Sequence, residues 1–74
     1  MDSRFSLLIQ FGRAMRKHRV ANSLSQEEFA YKTGLHRTYV GAIERGERNI
    51  TLLKVFQICK ALNVNVEDFL RGIR

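Results

Sequence analysis

Apolar positions recur along most of this chain at spacings of three and four residues, with no sustained alternation. Phe5, Leu8, Phe11, Gly12 and Met15 make one stripe of a first helix, expected over about Ser3 to Ala21. Glycine on that stripe costs roughly 1 kcal/mol against alanine, and close approach of another helix would explain it. Asn22 and Ser23 break the pattern. Leu24 then precedes Ser25, an N-cap with Glu28 at the capping-box position, and is expected to staple onto Phe29. The second helix is expected over about Gln26 to Thr33. Gly34, able to take positive φ, stops it, and Leu35 follows as a buried plug. A third helix over about Arg37 to Arg45, with His36 at its N-cap, would carry Val40 and Ile43 inward and Arg37, Thr38 and Tyr39 outward. Gly46 ends it. Thr51 can cap a fourth helix, Leu52 to Leu62, with Leu52, Val55, Phe56, Cys59 and Leu62 apolar. Asn63 suits a left-handed stop. Asn65 can cap a last helix, Val66 to about Arg71, whose first turn holds Glu67 and Asp68, as the helix dipole prefers. The chain has no proline. The expected fold is all-α, a compact five-helix bundle, with residues 1–74 as one domain.

The stretch from Ser25 to Asn49 organises the rest. Two short helices joined by a glycine-containing turn, followed by a basic loop, make a helix-turn-helix, whose second helix enters the DNA major groove.

Charge sharpens that reading. Thirteen Lys and Arg against seven Asp and Glu leave a formal net charge of +6 on 74 residues. Such an excess bears on partners and not on fold. Nucleic acid leads; an acidic protein or an anionic membrane surface has the same appeal by composition alone. Arg13, Arg16 and Lys17 are read as a solvated face of the first helix, favoured by the helix dipole, ahead of a phosphate-facing edge. The single cysteine, Cys59, permits no internal disulfide and lies on an apolar stripe, so it reads as a small buried hydrophobe. The two histidines, His18 and His36, show no metal-ligand spacing and no nucleophile beside them, so no cofactor, metal or catalysis is expected. His36 is either a solvated cap or a donor to phosphate. The apolar residues at the start precede the basic ones, the reverse of a signal peptide, and no run is long enough to span a membrane. A cytoplasmic location is expected.

The sequence Leu24-Ser25-Gln26-Glu27-Glu28-Phe29-Ala30, then Gly34-Leu35, then Ile43-Glu44-Arg45-Gly46, resembles the phage repressor and Cro type of helix-turn-helix regulator. The resemblance runs from about Phe11 to Leu70. Within that family, Leu35-His36-Arg37-Thr38-Tyr39-Val40, with Ile43-Glu44-Arg45 and Arg48-Asn49, is similar to the controller proteins of restriction–modification systems. Such controllers are small dimeric transcription factors that bind operator repeats ahead of their own gene and the endonuclease gene. The resemblance implies that Gln26 meets a DNA phosphate. It also implies that Arg37, Thr38 and Tyr39 form the exposed first turn of the recognition helix, that Arg48 and Asn49 lie in the loop after it, and that Arg19 and Glu44 form a buried ion pair.

Physical chemistry supports these roles separately. Arg37 at the start of a groove-entering helix can reach O6 and N7 of guanine with two hydrogen bonds. Thr38 and Arg48 are further candidates for base reading. Gln26, His36, Tyr39 and Asn49 are candidates for backbone contact, with Thr38 and Tyr39 able to do either. The family often carries longer polar side chains where this chain has Gly41 and Ala42, so reading is expected to concentrate on the first turn and the following loop. One module offers limited interface for tight binding, so a homodimer is expected, with recognition helices about 34 Å apart. Leu53, Val64 and Val66 are candidates for its contact, with Phe69 assigned to the core. A face bearing Glu27 or Glu47 is a candidate for touching RNA polymerase. Competing readings are a phage-type repressor or antitoxin regulator of the same fold, and a protein-binding adaptor.

Overall fold

The computed structural model describes residues 3–74, which form five helices and, among those residues, no strand: α1 Ser3–Ala21, α2 Gln26–Thr33, α3 Arg37–Glu44, α4 Leu52–Ala61 and α5 Val66–Leu70. Each start has a local cause. Ser25 Oγ accepts from the Glu28 amide at 3.0 Å, and Glu28 Oε1 accepts from the Ser25 amide at 2.9 Å, a complete capping box. Thr51 and Asn65 accept from the amides of Lys54 and Asp68 in the same way. At α3 the cap is His36, whose Nδ1 accepts from the Thr38 amide at 3.2 Å. An imidazole accepting at Nδ1 carries its proton on Nε2.

The stops are equally local. Ser23, Gly46 and Asn63 sit at φ 58°, 76° and 55°. At each, the amide of the next residue reaches back five positions: Leu24 to Arg19, Glu47 to Ala42 and Val64 to Cys59, all at 3.0–3.1 Å. These are Schellman closures, which satisfy carbonyls the helix leaves open. They also explain why α3 and α4 each end one residue earlier than the apolar pattern implies; α5 does so too, because the backbone turns extended at Arg71. Arg45, Leu62 and Arg71 are C-caps, not helical residues.

The core is built from Met15 of α1, Phe29 of α2, Val40 and Ile43 of α3, Ile58 and Cys59 of α4 and Phe69 of α5, all essentially buried. Burial pushes the Cys59 thiol up from its ordinary value, which favours the unreactive protonated form. Helix α1 packs across α3 and α5, α2 against α3 and α4, and α4 against α5. Where α1 crosses α3, a methyl group on Gly12 would lie 2.3 Å from the Ile43 carbonyl oxygen. The glycine therefore sets the distance between these two helices. Phe11 and Phe69 meet with ring centroids 5.0 Å apart, and His18 stacks on the same Phe69 ring at 5.3 Å.

Two apolar stripes differ from the sequence reading. On α4 the inward residues are Val55, Ile58, Cys59 and, beyond the helix end, Leu62, while Leu52 and Phe56 are 69% and 54% exposed. The i, i+4 pair Leu52 and Phe56 lies to one side of the line that faces the core. On α1, Phe5 is 54% exposed, because the first turns run past the body of the core. Leu35 is half-buried and packed against the core, and Leu24 packs there with Phe29 among the cluster. At the far end of the fold, the Gln10 side chain makes two hydrogen bonds to the backbone of Arg74, donating to its carbonyl at 2.7 Å and accepting from its amide at 3.0 Å.

Candidate nucleic-acid interface

Helix α3 is buried along Val40, Gly41, Ala42 and Ile43 and exposed at its first turn. Arg37 and Thr38 are exposed, with Arg37 Nη1 only 3.9 Å from Glu27 Oε2 on α2. Both side chains of that pair stand largely in water, so it restrains the guanidinium weakly. Tyr39 is not simply outward. It is half-buried against the core, and two cations approach its ring, the Arg48 guanidinium and the Lys54 ammonium, each 5.6 Å from the centroid. Contacts of this kind at exposed sites contribute about 0.5–1 kcal/mol. They fix the loop residue Arg48 and the first turn of α4 beside the first turn of α3. Asn49 is exposed in the same loop.

Behind this face lies a buried polar cluster. Glu44, at the end of α3, accepts from Arg19 Nε at 2.7 Å and from Arg19 Nη2 at 3.1 Å. Arg19 Nη1 donates to the Leu24 carbonyl at 2.7 Å, and Gln26 Nε2 donates to Glu44 Oε1 at 3.0 Å. The two charged side chains are 10% and 4% exposed. One carboxylate thus ties together α1, the entry to α2 and the end of α3. No buried side-chain polar atom among the described residues lacks a partner, which is the condition for such a cluster to stabilise and not to cost. One consequence concerns Gln26. Half of its N–H donating capacity is already engaged by Glu44.

The contacts join Tyr39 to Arg48 and bring Arg37 near Glu27 of α2, Thr38 is exposed on the same turn, Gln26 is held by Glu44, and His36 serves first as a helix cap. The sequence reading missed Lys54 and Arg45. Lys54 sits three residues after the Thr51 cap, on a turn that only tertiary packing brings to Tyr39. Arg45 is the C-cap of α3, and its Nε donates to Glu47 Oε2 at 3.0 Å. The spacing Arg37, Gly41, Arg45 was the available signal, since residues four apart share a helix face.

Leu53 is 82% exposed, whereas Val64 and Val66 are half-buried against the core. A shallow groove of about 510 Å³ lined by Phe56, Asn65, Val66, Glu67 and Leu70 runs between α4 and α5. Among the described residues no cluster of His, Cys, Asp and Glu could hold a metal ion, and no helix is long and apolar enough to cross a membrane.

The chain matches the helix-turn-helix family HTH_3 over residues 15–69. It is 50% identical over 56 residues to control protein C.SmaI of Serratia marcescens, covering 76% of this chain and 67% of that protein. The restriction–modification controller protein C.AhdI of Aeromonas hydrophila superposes with a TM-score of 0.80 at 40% identity, over 84% of this chain and 94% of that one. The controller protein C.Esp1396I, solved as a tetramer in complex with its natural 35 base-pair operator, superposes with a TM-score of 0.82 at 36% identity, over 90% and 88% of the two chains. The chain belongs to the helix-turn-helix family and, within it, to the control proteins of restriction–modification systems.

Proposed function

We propose that this protein is a sequence-specific double-stranded DNA-binding transcriptional regulator that binds paired operator repeats as a homodimer. Its own gene and a restriction endonuclease gene are the targets this reading assigns. The observation that carries it is the first turn of α3. Arg37 and Thr38 stand free of the core there, while a fully bonded cluster beneath holds α2 and α3 in fixed relation. Arg37, Thr38 and Arg48 read bases. Gln26, His36, Tyr39 and Asn49 contact the backbone. The apolar residues Leu53, Val64 and Val66 pair two copies. The protein works in the cytoplasm as a binding protein, not an enzyme, and Glu27 or Glu47 offers an acidic contact to RNA polymerase. Footprinting on the DNA upstream of its own gene tests this: protection of two repeats is expected. Arg37→Ala should lose discrimination at one guanine in each half-site, worth about 1–3 kcal/mol. An unprotected upstream region would overturn the reading, and an unchanged footprint with Arg37→Ala would move base reading to Arg48.

A further inference from the structure

The middle of the recognition helix presents no side chain of its own to a groove. Gly41 has none, and Ala42 is 7% exposed. Yet the space outside Gly41 is filled. A methyl group placed there would lie 3.1 Å from Nη1 of Arg45 and 3.5 Å from Oε1 of Gln26. Helical side chains lean toward the helix N-terminus, so a long residue at 45 covers position 41. Gly41 has no positive φ. Its need for glycine is therefore a matter of room and not of backbone conformation.

We propose that Gly41 is a positioning residue for DNA binding: it lets the Arg45 guanidinium cross the recognition helix and contact a DNA phosphate beside Gln26. This rests on the DNA-binding reading above. The hydrogen bonds favour Arg45 over Gln26 as the donor. One Gln26 N–H is held by Glu44, and the amide atom nearest the Gly41 position, at 3.5 Å against 3.9 Å for the nitrogen, is its oxygen, which cannot donate to an anion. Arg45 is engaged at Nε by Glu47, an exposed contact that restrains the guanidinium only weakly and leaves the Nη1 and Nη2 donors for a two-point phosphate contact. Arg37, Gly41 and Arg45 lie in one file at four-residue steps, so the second guanidinium extends the positive edge that Arg37 begins.

The test is a double-mutant cycle on the full chain, with operator affinity measured by fluorescence anisotropy over a range of salt and folding measured by thermal melting. Arg45→Ala should weaken binding roughly tenfold for each half-site, as loss of a charge-assisted hydrogen bond implies, and, with two copies on the operator, reduce the log–log salt slope by about 1.8. Gly41→Leu, which must expel the guanidinium, should weaken binding to a similar degree. Gly41→Ala, which requires the guanidinium to give only a few tenths of an ångström, should have a smaller effect and melt no lower than wild type. In the Arg45→Ala background, Gly41→Leu should cost nothing further. Equal losses from Gly41→Leu in both backgrounds would overturn the proposal. So would wild-type affinity and salt slope in Arg45→Ala, or a lowered melting temperature in Gly41→Ala. If the wild-type protein itself binds no operator, the parent reading falls. If wild type binds and Arg37→Ala loses discrimination while the Arg45 and Gly41 variants do not change, this proposal alone fails.

Discussion

Arg19 and Glu44 are joined by two hydrogen bonds, 2.7 and 3.1 Å long, with both side chains almost wholly shielded from water. In water such a pair would contribute little; here each charge depends on the other, since stranding one inside the fold is what costs. The carboxylate also receives Gln26, so α1, α2 and α3 share one electrostatic joint.

Glu44→Ala should accordingly destabilise the domain by about 3–5 kcal/mol. Against the marginal stability of so small a fold, that is a large share of the whole. Circular dichroism melting checks it. Wild-type melting behaviour would show that Arg19 finds solvent or another partner.

Gly12→Ala should destabilise despite the gain in helix propensity. Alanine gains about 1 kcal/mol in an isolated helix, but its methyl group would lie 2.3 Å from one carbonyl oxygen and 2.7 Å from the next. Both are backbone atoms, so α1 and α3 must separate. Overpacking of this kind costs typically about 1–3 kcal/mol. A variant melting above wild type in urea or heat would contradict the close crossing.

Acid should loosen the start of α2. The backbone hydrogen bond from Ser25, and after it the Ser25 side chain, hold the Glu28 carboxyl below its ordinary value, outweighing a small opposing effect of burial. A carboxyl depressed in the folded state contributes stability that is present above its unfolded pKa and is lost as pH falls through the folded one. Melting curves from neutral pH down through the carboxylate range should therefore drop less steeply for Glu28→Gln than for wild type. Parallel curves would remove Glu28 as a source of the acid sensitivity.

Leu53→Lys should weaken self-association without touching the fold of one copy, because Leu53 is 82% exposed. Roughly a tenfold rise in the dimer dissociation constant, the size of a modest interface contribution, is expected by analytical ultracentrifugation. An unchanged constant would move the contact away from Leu53.

How far the sequence revealed the molecule depended on range. Caps and stops use neighbours within five residues, and Ser25 with Glu28, Thr51, Asn65, Gly46 and Asn63 were all legible for that reason. Gly12 was legible because glycine on an apolar helical stripe needs a cause. The side of α4 that faces inward was not. Leu52 and Phe56 fit a helical spacing as well as Val55 and Ile58 do, and only packing against α2 and α5 decides between them. In the candidate interface, the outward first turn of α3 followed from periodicity. The approach of Arg48 and Lys54 to the Tyr39 ring, and the Arg45 guanidinium over Gly41, did not. Each depends on where a long, flexible side chain settles across a gap of several residues.

The Gln10 clasp on the Arg74 backbone brings residue 74 to the flank of α1. Ser3 lies seven residues up that helix, or about 10 Å at the usual rise. The described path thus returns to the helix with which it starts. A few glycine and serine residues between residue 74 and the start of α1 would therefore span the gap without drawing either off the fold, and would leave the recognition helix and the Glu47–Asn49 loop untouched.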